Sequence, residues 1–134
     1  ADCWRWYLIA NAPESADTNF TWDQFVGVVN KDLNDVLGNF VSRTLKFAKA
    51  RFDSKIPDGG EAGAAEAQLV ADTDAHLAEF AQHLGALQFR KAAAELRALW
   101  VKGNEYLAAA APWTAIKTDA AQAAVSIRTA INLI

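Results

Sequence analysis

Hydrophobic positions are most regularly spaced between Phe20 and Phe52. The stretch opens with Phe20-Thr21-Trp22-Asp23-Gln24-Phe25. Thr21 can cap the first free amides of a helix, and Gln24 can reach back to the Thr21 amide, which together make a capping box. Phe20 and Phe25 fall at the N′ and N4 positions and can close over it as a hydrophobic staple. An apolar stripe then runs Phe25, Val29, Leu33, Val36, Phe40, Phe47, widened by Leu37, Val41 and Leu45. That spacing is helical and amphipathic. No proline interrupts Trp22 to Ile56, so the pattern predicts one long helix from Trp22 to about Phe52, with Gly38 as the place for a kink.

The flanking segments also read as helix. Residues 1–10 predict a short one, with Trp4, Tyr7 and Leu8 on one face. Asn11 to Asn19 is polar, contains Pro13 and reads as a loop. Pro57-Asp58-Gly59-Gly60-Glu61 is the strongest breaker. Helix resumes from Ala62 to Ala86, ending near Gly85, with Val70, Leu77 and Leu84 repeating every seven residues and Phe80 beside them. A second well-patterned helix spans Gln88 to Ala111, its seam being Phe89, Ala93, Leu96, Trp100, Gly103 and Leu107. Pro112 starts a short turn that carries Trp113 to Lys117. Asp119 is the expected N-cap of a last helix with Ala124, Ile127, Ile131 and Ile134 on its apolar face.

This pattern predicts an all-α fold, a bundle of four to five antiparallel helices in a single domain over residues 1–134. Apolar residues make up 52% of the chain, but many are alanine, so the bulk of the core must come from five Trp, seven Phe and the Leu/Val/Ile set. No apolar run approaches a membrane span, no leader pattern is present, and the single Cys3 cannot form an internal disulfide. The expectation is a cytoplasmic protein with no membrane partner. The chain has no methionine and starts and stops inside helical patterns, so the reading is of a piece of a larger protein.

Charge narrows the function. A net charge of −3 disfavours a general nucleic-acid coat protein, and DNA is not an expected partner. The cations are bunched, however. Val41 to Lys55 holds five (Arg43, Lys46, Lys49, Arg51, Lys55) against one anion, whereas Ile56 to Ala86 holds six anions and no Lys or Arg. One basic end on an acidic chain suits a local partner. No catalytic constellation or Gly-rich phosphate loop stands out, and His76 and His83 read as exposed or partly packed rather than as metal ligands. Asn39 and Arg43 lie one turn apart on the flank of the long stripe. An amide can donate to and accept from a base edge, and a guanidinium can hydrogen-bond or stack. A tryptophan held after a proline, as Trp113 is, can offer its ring face to a base. Each residue type also has a plain alternative: Asn39 an ordinary exposed residue, Arg43 part of a solvated face, Trp113 a core plug.

The chain resembles the helical anticodon-binding domain of bacterial methionyl-tRNA synthetase, a class I enzyme. The resemblance rests on Trp4-Arg5-Trp6-Tyr7-Leu8, Asp23-Gln24-Phe25, Val29-Asn30-Lys31-Asp32-Leu33, Gly38-Asn39-Phe40-Val41-Ser42-Arg43 and Arg51-Phe52-Asp53. It continues through Phe89-Arg90-Lys91-Ala92, Asn104-Glu105-Tyr106, Ala111-Pro112-Trp113 and Ile131-Asn132-Leu133. The acidic, Ala-rich stretch Asp58 to Asp74 is left unmatched. The resemblance implies that Asn39 and Arg43 contact anticodon bases, that Trp113 stacks beneath the first of them, and that Pro112 shapes the turn. Lys46 and Lys49 would steer phosphates. The implied partners are methionine tRNA, with anticodon CAU, and a catalytic domain in the same polypeptide. That domain would hold ATP with Mg and, in some members, Zn, so this chain itself carries no catalytic residue, cofactor or metal ligand. Two rival readings remain: the same domain from another class I synthetase, and a helical protein-interaction module indifferent to Asn39 and Arg43.

Overall fold

A computed structural model describes residues 1–134, and every regular element in it is helical. α1 spans Asp2–Ala10, α2 Trp22–Val28, α3 Asn39–Arg51, α4 Ala64–Gly85, α5 Phe89–Ala110, α6 Pro112–Ala115 and α7 Ala120–Asn132. Between α2 and α3, Val29–Gly38 is a π-helical stretch whose turns widen without breaking the helix. The backbone stays right-handed helical at both junctions, Val29 and Asn39. Trp22 to Arg51 is therefore one continuous helix, as the sequence pattern predicts. Counting it once and setting aside the one-turn α6, five helices make the bundle.

The expected terminal signals operate. Thr21 Oγ1 accepts from the Gln24 amide at 3.2 Å, while the reciprocal arm of the capping box is not made. Asp119 Oδ1 accepts from the Gln122 amide at 2.9 Å and starts α7. The irregularity expected at Gly38 is spread over the π-helical stretch that ends there. A Cβ on Gly38 would stand 2.9 Å from the Leu33 carbonyl oxygen, so the close approach requires glycine.

Three elements enclose the core. Phe40 and Ala48 of α3, Leu107 of α5, and Ile127 and Ala130 of α7 are buried together, with Phe47, Phe52, Ile131 and Leu133 packed around them. Gly103 lies flat on Phe40, since an added Cβ would meet the ring at 2.7 Å. α7 buries five consecutive residues, Ala123 to Ile127, which explains its small side chains: they let neighbouring elements approach on nearly every side. α4 and α5 run antiparallel across a short connection, tied by Asp72–Lys102 at 3.1 Å and His76–Glu95 at 2.7 Å.

Several expected packing positions are corrected. On α4, Val70, Leu77 and Leu84 remain exposed. The inward side instead carries Glu66, Leu69, Thr73, His76, Phe80 and His83. Polar partners reach this side, so burial follows hydrogen bonding more than hydropathy. Leu8 and Leu45 are also exposed, while Thr44 is fully buried with its hydroxyl donating to the Phe40 carbonyl at 2.9 Å. Trp6, rather than Trp4, reaches the bundle and packs on Trp100 at 4.7 Å between ring centroids. Trp4 joins Phe20, Trp22 and Phe25 in an aromatic cluster at the surface.

The acidic stretch that the resemblance leaves unmatched fastens the bundle. Asp58 takes a 2.8 Å bond from Arg128 of α7, and Asp72 pairs with Lys102. Glu66 is buried and accepts from Tyr106 at 2.6 Å and from the Gly63 amide at 2.8 Å. Burial pushes its carboxyl up, but the bonds from Tyr106, the backbone and Gln122 outweigh this and hold it below the ordinary 4.5. Burial, reinforced by Glu66, pushes the Tyr106 phenol up to about 12.

Candidate nucleic-acid interface

Asn39 and Arg43 open α3 and stand one turn apart. Phe40, between them in sequence, is buried and anchors that turn in the core, leaving Asn39 exposed and Arg43 half-buried. Trp113 comes from the other end of the chain. Pro112 bars Ala111 from continuing α5 in the right-handed conformation, and Ala111 turns left-handed at φ 40° and ψ 57°. The chain then re-enters helix with buried Pro112 at its first position. This short, anchored turn holds Trp113 at the surface, 39% exposed.

The two ends meet. The Arg43 guanidinium carbon lies 4.6 Å from the centroid of the Trp113 ring, a cation–π contact worth about 0.5–1 kcal/mol at an exposed site. Trp113 is thus neither a core plug nor a free ring: one face carries Arg43. Asn39 and Arg43 also line a shallow groove of about 270 Å³ with Asp35, Val36, Val101, Asn104 and Glu105. Lys46 and Lys49 lie further along α3, both exposed and outside every ion pair of the chain. All six sequence-derived candidates therefore lie on α3 or on the α6 turn, and three of them form one corner.

Sequence reasoning singled out no role for Asn104. Its Nδ2 donates to the Val36 carbonyl at 2.9 Å and the Trp100 carbonyl at 3.0 Å. Its Oδ1 accepts from Asn39 Nδ2 at 3.2 Å. Asn104 therefore joins α5, the π-helical stretch and the exposed amide. Asp32 was likewise missed: it is buried, accepting from Arg97 at 2.6 Å and from the Trp6 indole at 3.2 Å. Neither had a local signal for its role, because Asn39 and Val36 are distant from Asn104 in sequence, as Trp6 and Arg97 are from Asp32.

An apolar opening suits base recognition less well. One of about 560 Å³ between α1 and α5, bordered by Trp6, Leu33, Phe80 and Trp100, is almost wholly apolar. Its only charged residues, Asp2 and Arg5, pair with each other at 2.6 Å. His76 and His83 bond to Glu95 and Gln88, and no group of three or more His, Cys, Asp or Glu gathers as a metal site would require. No helix is long and apolar enough to cross a membrane.

The fold is the one found in class I synthetase structures. Apo Mycobacterium tuberculosis methionyl-tRNA synthetase superposes with a TM-score of 0.90 at 25% identity, over 98% of this chain and 28% of that one. The same synthetase in complex with methionyl-adenylate gives 0.91 at 25% identity, over 98% and 27%. Residues 1–45 match the model for class I tRNA synthetases (M), and residues 56–134 match the model for the anticodon binding domain of methionyl tRNA ligase. The chain belongs to the methionyl-tRNA ligase anticodon-binding family. The methionine–tRNA ligase of Caulobacter sp. (strain K31) is 61% identical over 132 residues, 98% of this chain and 23% of that protein. That of Jannaschia sp. (strain CCS1) is 56% identical over the whole chain, 24% of its own length. The chain thus spans about a quarter of the length of these relatives. The corner draws on both matched stretches, Asn39 and Arg43 from the first and Pro112 and Trp113 from the second.

Proposed function

We propose that this chain, acting as one unit over residues 1–134, reads the CAU anticodon of methionine tRNA for a methionine–tRNA ligase. The observation that carries the reading is the Arg43–Trp113 stack with Asn39 one turn away, in a chain of the anticodon-binding family. Single-stranded bases are recognised by splaying out, stacking on an aromatic ring or guanidinium and hydrogen-bonding along their edges. Trp113, shaped by Pro112, supplies the ring. Asn39 and Arg43 supply donors and an acceptor for base edges, and Lys46 and Lys49 attract the phosphates. Catalysis, with ATP, Mg and any Zn, belongs to a domain of the same polypeptide outside these residues. The working compartment is the cytoplasm, in keeping with a single free cysteine, Cys3.

The test is fluorescence anisotropy of a labelled anticodon stem-loop titrated at one fixed salt concentration. The CAU loop binds more tightly than a loop changed only in its first anticodon base, and Arg43→Ala narrows the gap. Equal binding of both loops that vanishes with salt would reduce the site to a basic patch.

A further inference from the structure

Asn39 is exposed, yet its amide is not free to turn. Asn104 sits behind it with two backbone carbonyls, Val36 and Trp100, at 2.9 and 3.0 Å from its nitrogen. Only an NH₂ group can donate to two carbonyls, so this pair fixes which way the Asn104 amide faces. A flipped Asn104 would lose both bonds and set its oxygen against two carbonyl oxygens. Its oxygen is therefore held toward Asn39, where it accepts from Asn39 Nδ2 at 3.2 Å. That bond in turn commits one Asn39 N–H inward. Asn39 Oδ1 has no partner within the chain and is left for a ligand.

We infer that Asn104 is the positioning residue of this site, turning Asn39 so that it offers an acceptor to the RNA and favours a base bearing an exocyclic amine. The inference rests on the proposed reading of the site and deepens it. Cytosine and uracil have the same outline, but at the 4-position one carries an amine and the other a carbonyl. An outward Oδ1 accepts from the amine and repels the carbonyl. The relay runs from backbone carbonyls through Asn104 to Asn39, so the fold itself sets the hydrogen-bond polarity at the surface.

The experiment compares CAU and UAU anticodon stem-loops on the chain and on Asn104→Ala, Asn39→Ala and the double variant. The chain prefers the cytosine loop on the order of ten-fold, the size of one base contact. Asn104→Ala removes most of that preference and leaves affinity for the uracil loop unchanged, and the double variant loses no more than either single one. Equal weakening toward both loops, adding to the effect of Asn39→Ala, would mean a structural role and overturn the proposal. Asn39→Asp has no N–H to give Asn104 Oδ1, so it breaks the relay while keeping an acceptor, and it loses the cytosine preference. A preference retained there would show that an acceptor at this position suffices without Asn104, and would overturn the positioning role. A readout without RNA separates this inference from the functional reading. In the free chain, Asn104→Ala shifts the side-chain amide resonances of Asn39. Unmoved resonances sink the relay whatever the RNA does, whereas shifted ones with neither loop bound keep the Asn104–Asn39 contact and overturn the reading of the site as an RNA interface.

Discussion

Asn104 and Tyr106 stand two residues apart on α5, about 200° apart around the helix, and each anchors a polar cluster of opposite kind. On one side Tyr106 donates to Glu66 inside the bundle, where Gly63 and Gln122 also converge on the carboxylate. No buried side-chain polar atom lacks a partner. On the other side Asn104 holds Asn39 beside Arg43 and Trp113, where hydrogen-bonding capacity remains at the surface. The first cluster is closed and holds α4, α5 and α7 together. The second is half closed: its inner bonds set geometry, and its outer groups are unspent. A polar cluster with all its groups paired stabilises, whereas one fixed from behind and open in front is suited to bind.

Disrupting the closed side alone separates the two clusters most strongly. Glu66→Ala removes the acceptor for Tyr106 and the bond to the Gly63 amide, and costs about 3 kcal/mol of folding stability in urea titration. The CAU preference stays unchanged under conditions where the variant is folded. A preference lost while stability held would mean that the two sides are coupled through α5. Acid tests the same cluster. The Glu66 carboxyl is held below its ordinary 4.5, so the stability it supplies is complete above that value and is lost as pH falls through the folded one. Tyr106 acts at the alkaline end. Raised from 10.0 to about 12, its contribution is complete below pH 10 and is lost as pH rises through 12. A stability profile flat below pH 4.5 would remove Glu66 from the account.

The open side is tested by Trp113→Ala. Stacking of one base on an aromatic ring contributes about 1–3 kcal/mol, and that is the expected loss of stem-loop affinity. Helical content by circular dichroism stays, because the ring is itself exposed and rests on Arg43, outside the buried cluster of Phe40, Leu107 and Ile127. An unfolded variant would return Trp113 to the role of a core residue.

Residue types alone made one cluster more legible than the other. The Asn39–Arg43 spacing and the proline before Trp113 are local patterns, and so are the caps at Thr21 and Asp119. That the two stretches meet came only from family resemblance, because nothing in local spacing brings α3 to α6. Glu66 was hidden for the opposite reason. An acid in an Ala-rich helix reads as solvated, and only distant Tyr106 and Gln122 make its burial tolerable. The same helix misled the seven-residue reading of Val70, Leu77 and Leu84, since its inward side is largely polar. The π-helical stretch left no mark in the sequence either. Its ties, Asp32 to Arg97 and Val36 to Asn104, are all long-range.

Substituting Lys46 and Lys49, which extend the open side along α3, changes binding least. Both are exposed and unpaired, so their fields reach solvent and are screened within about 8 Å at physiological salt. A lysine that meets a loop phosphate releases counterions, giving a slope of about −0.7 per contact in log affinity against log salt for single strands. Lys46→Gln with Lys49→Gln therefore flattens that slope by about 1.4 if both make such contacts. Affinity for the CAU and UAU loops falls together, because a phosphate carries no base identity. This separates attraction from reading within one surface: Arg43 and Asn39 act on the difference between loops, the lysines on their common level. A slope unchanged by both substitutions would confine the interface to the Arg43–Trp113 corner and leave the two lysines as ordinary solvated charges.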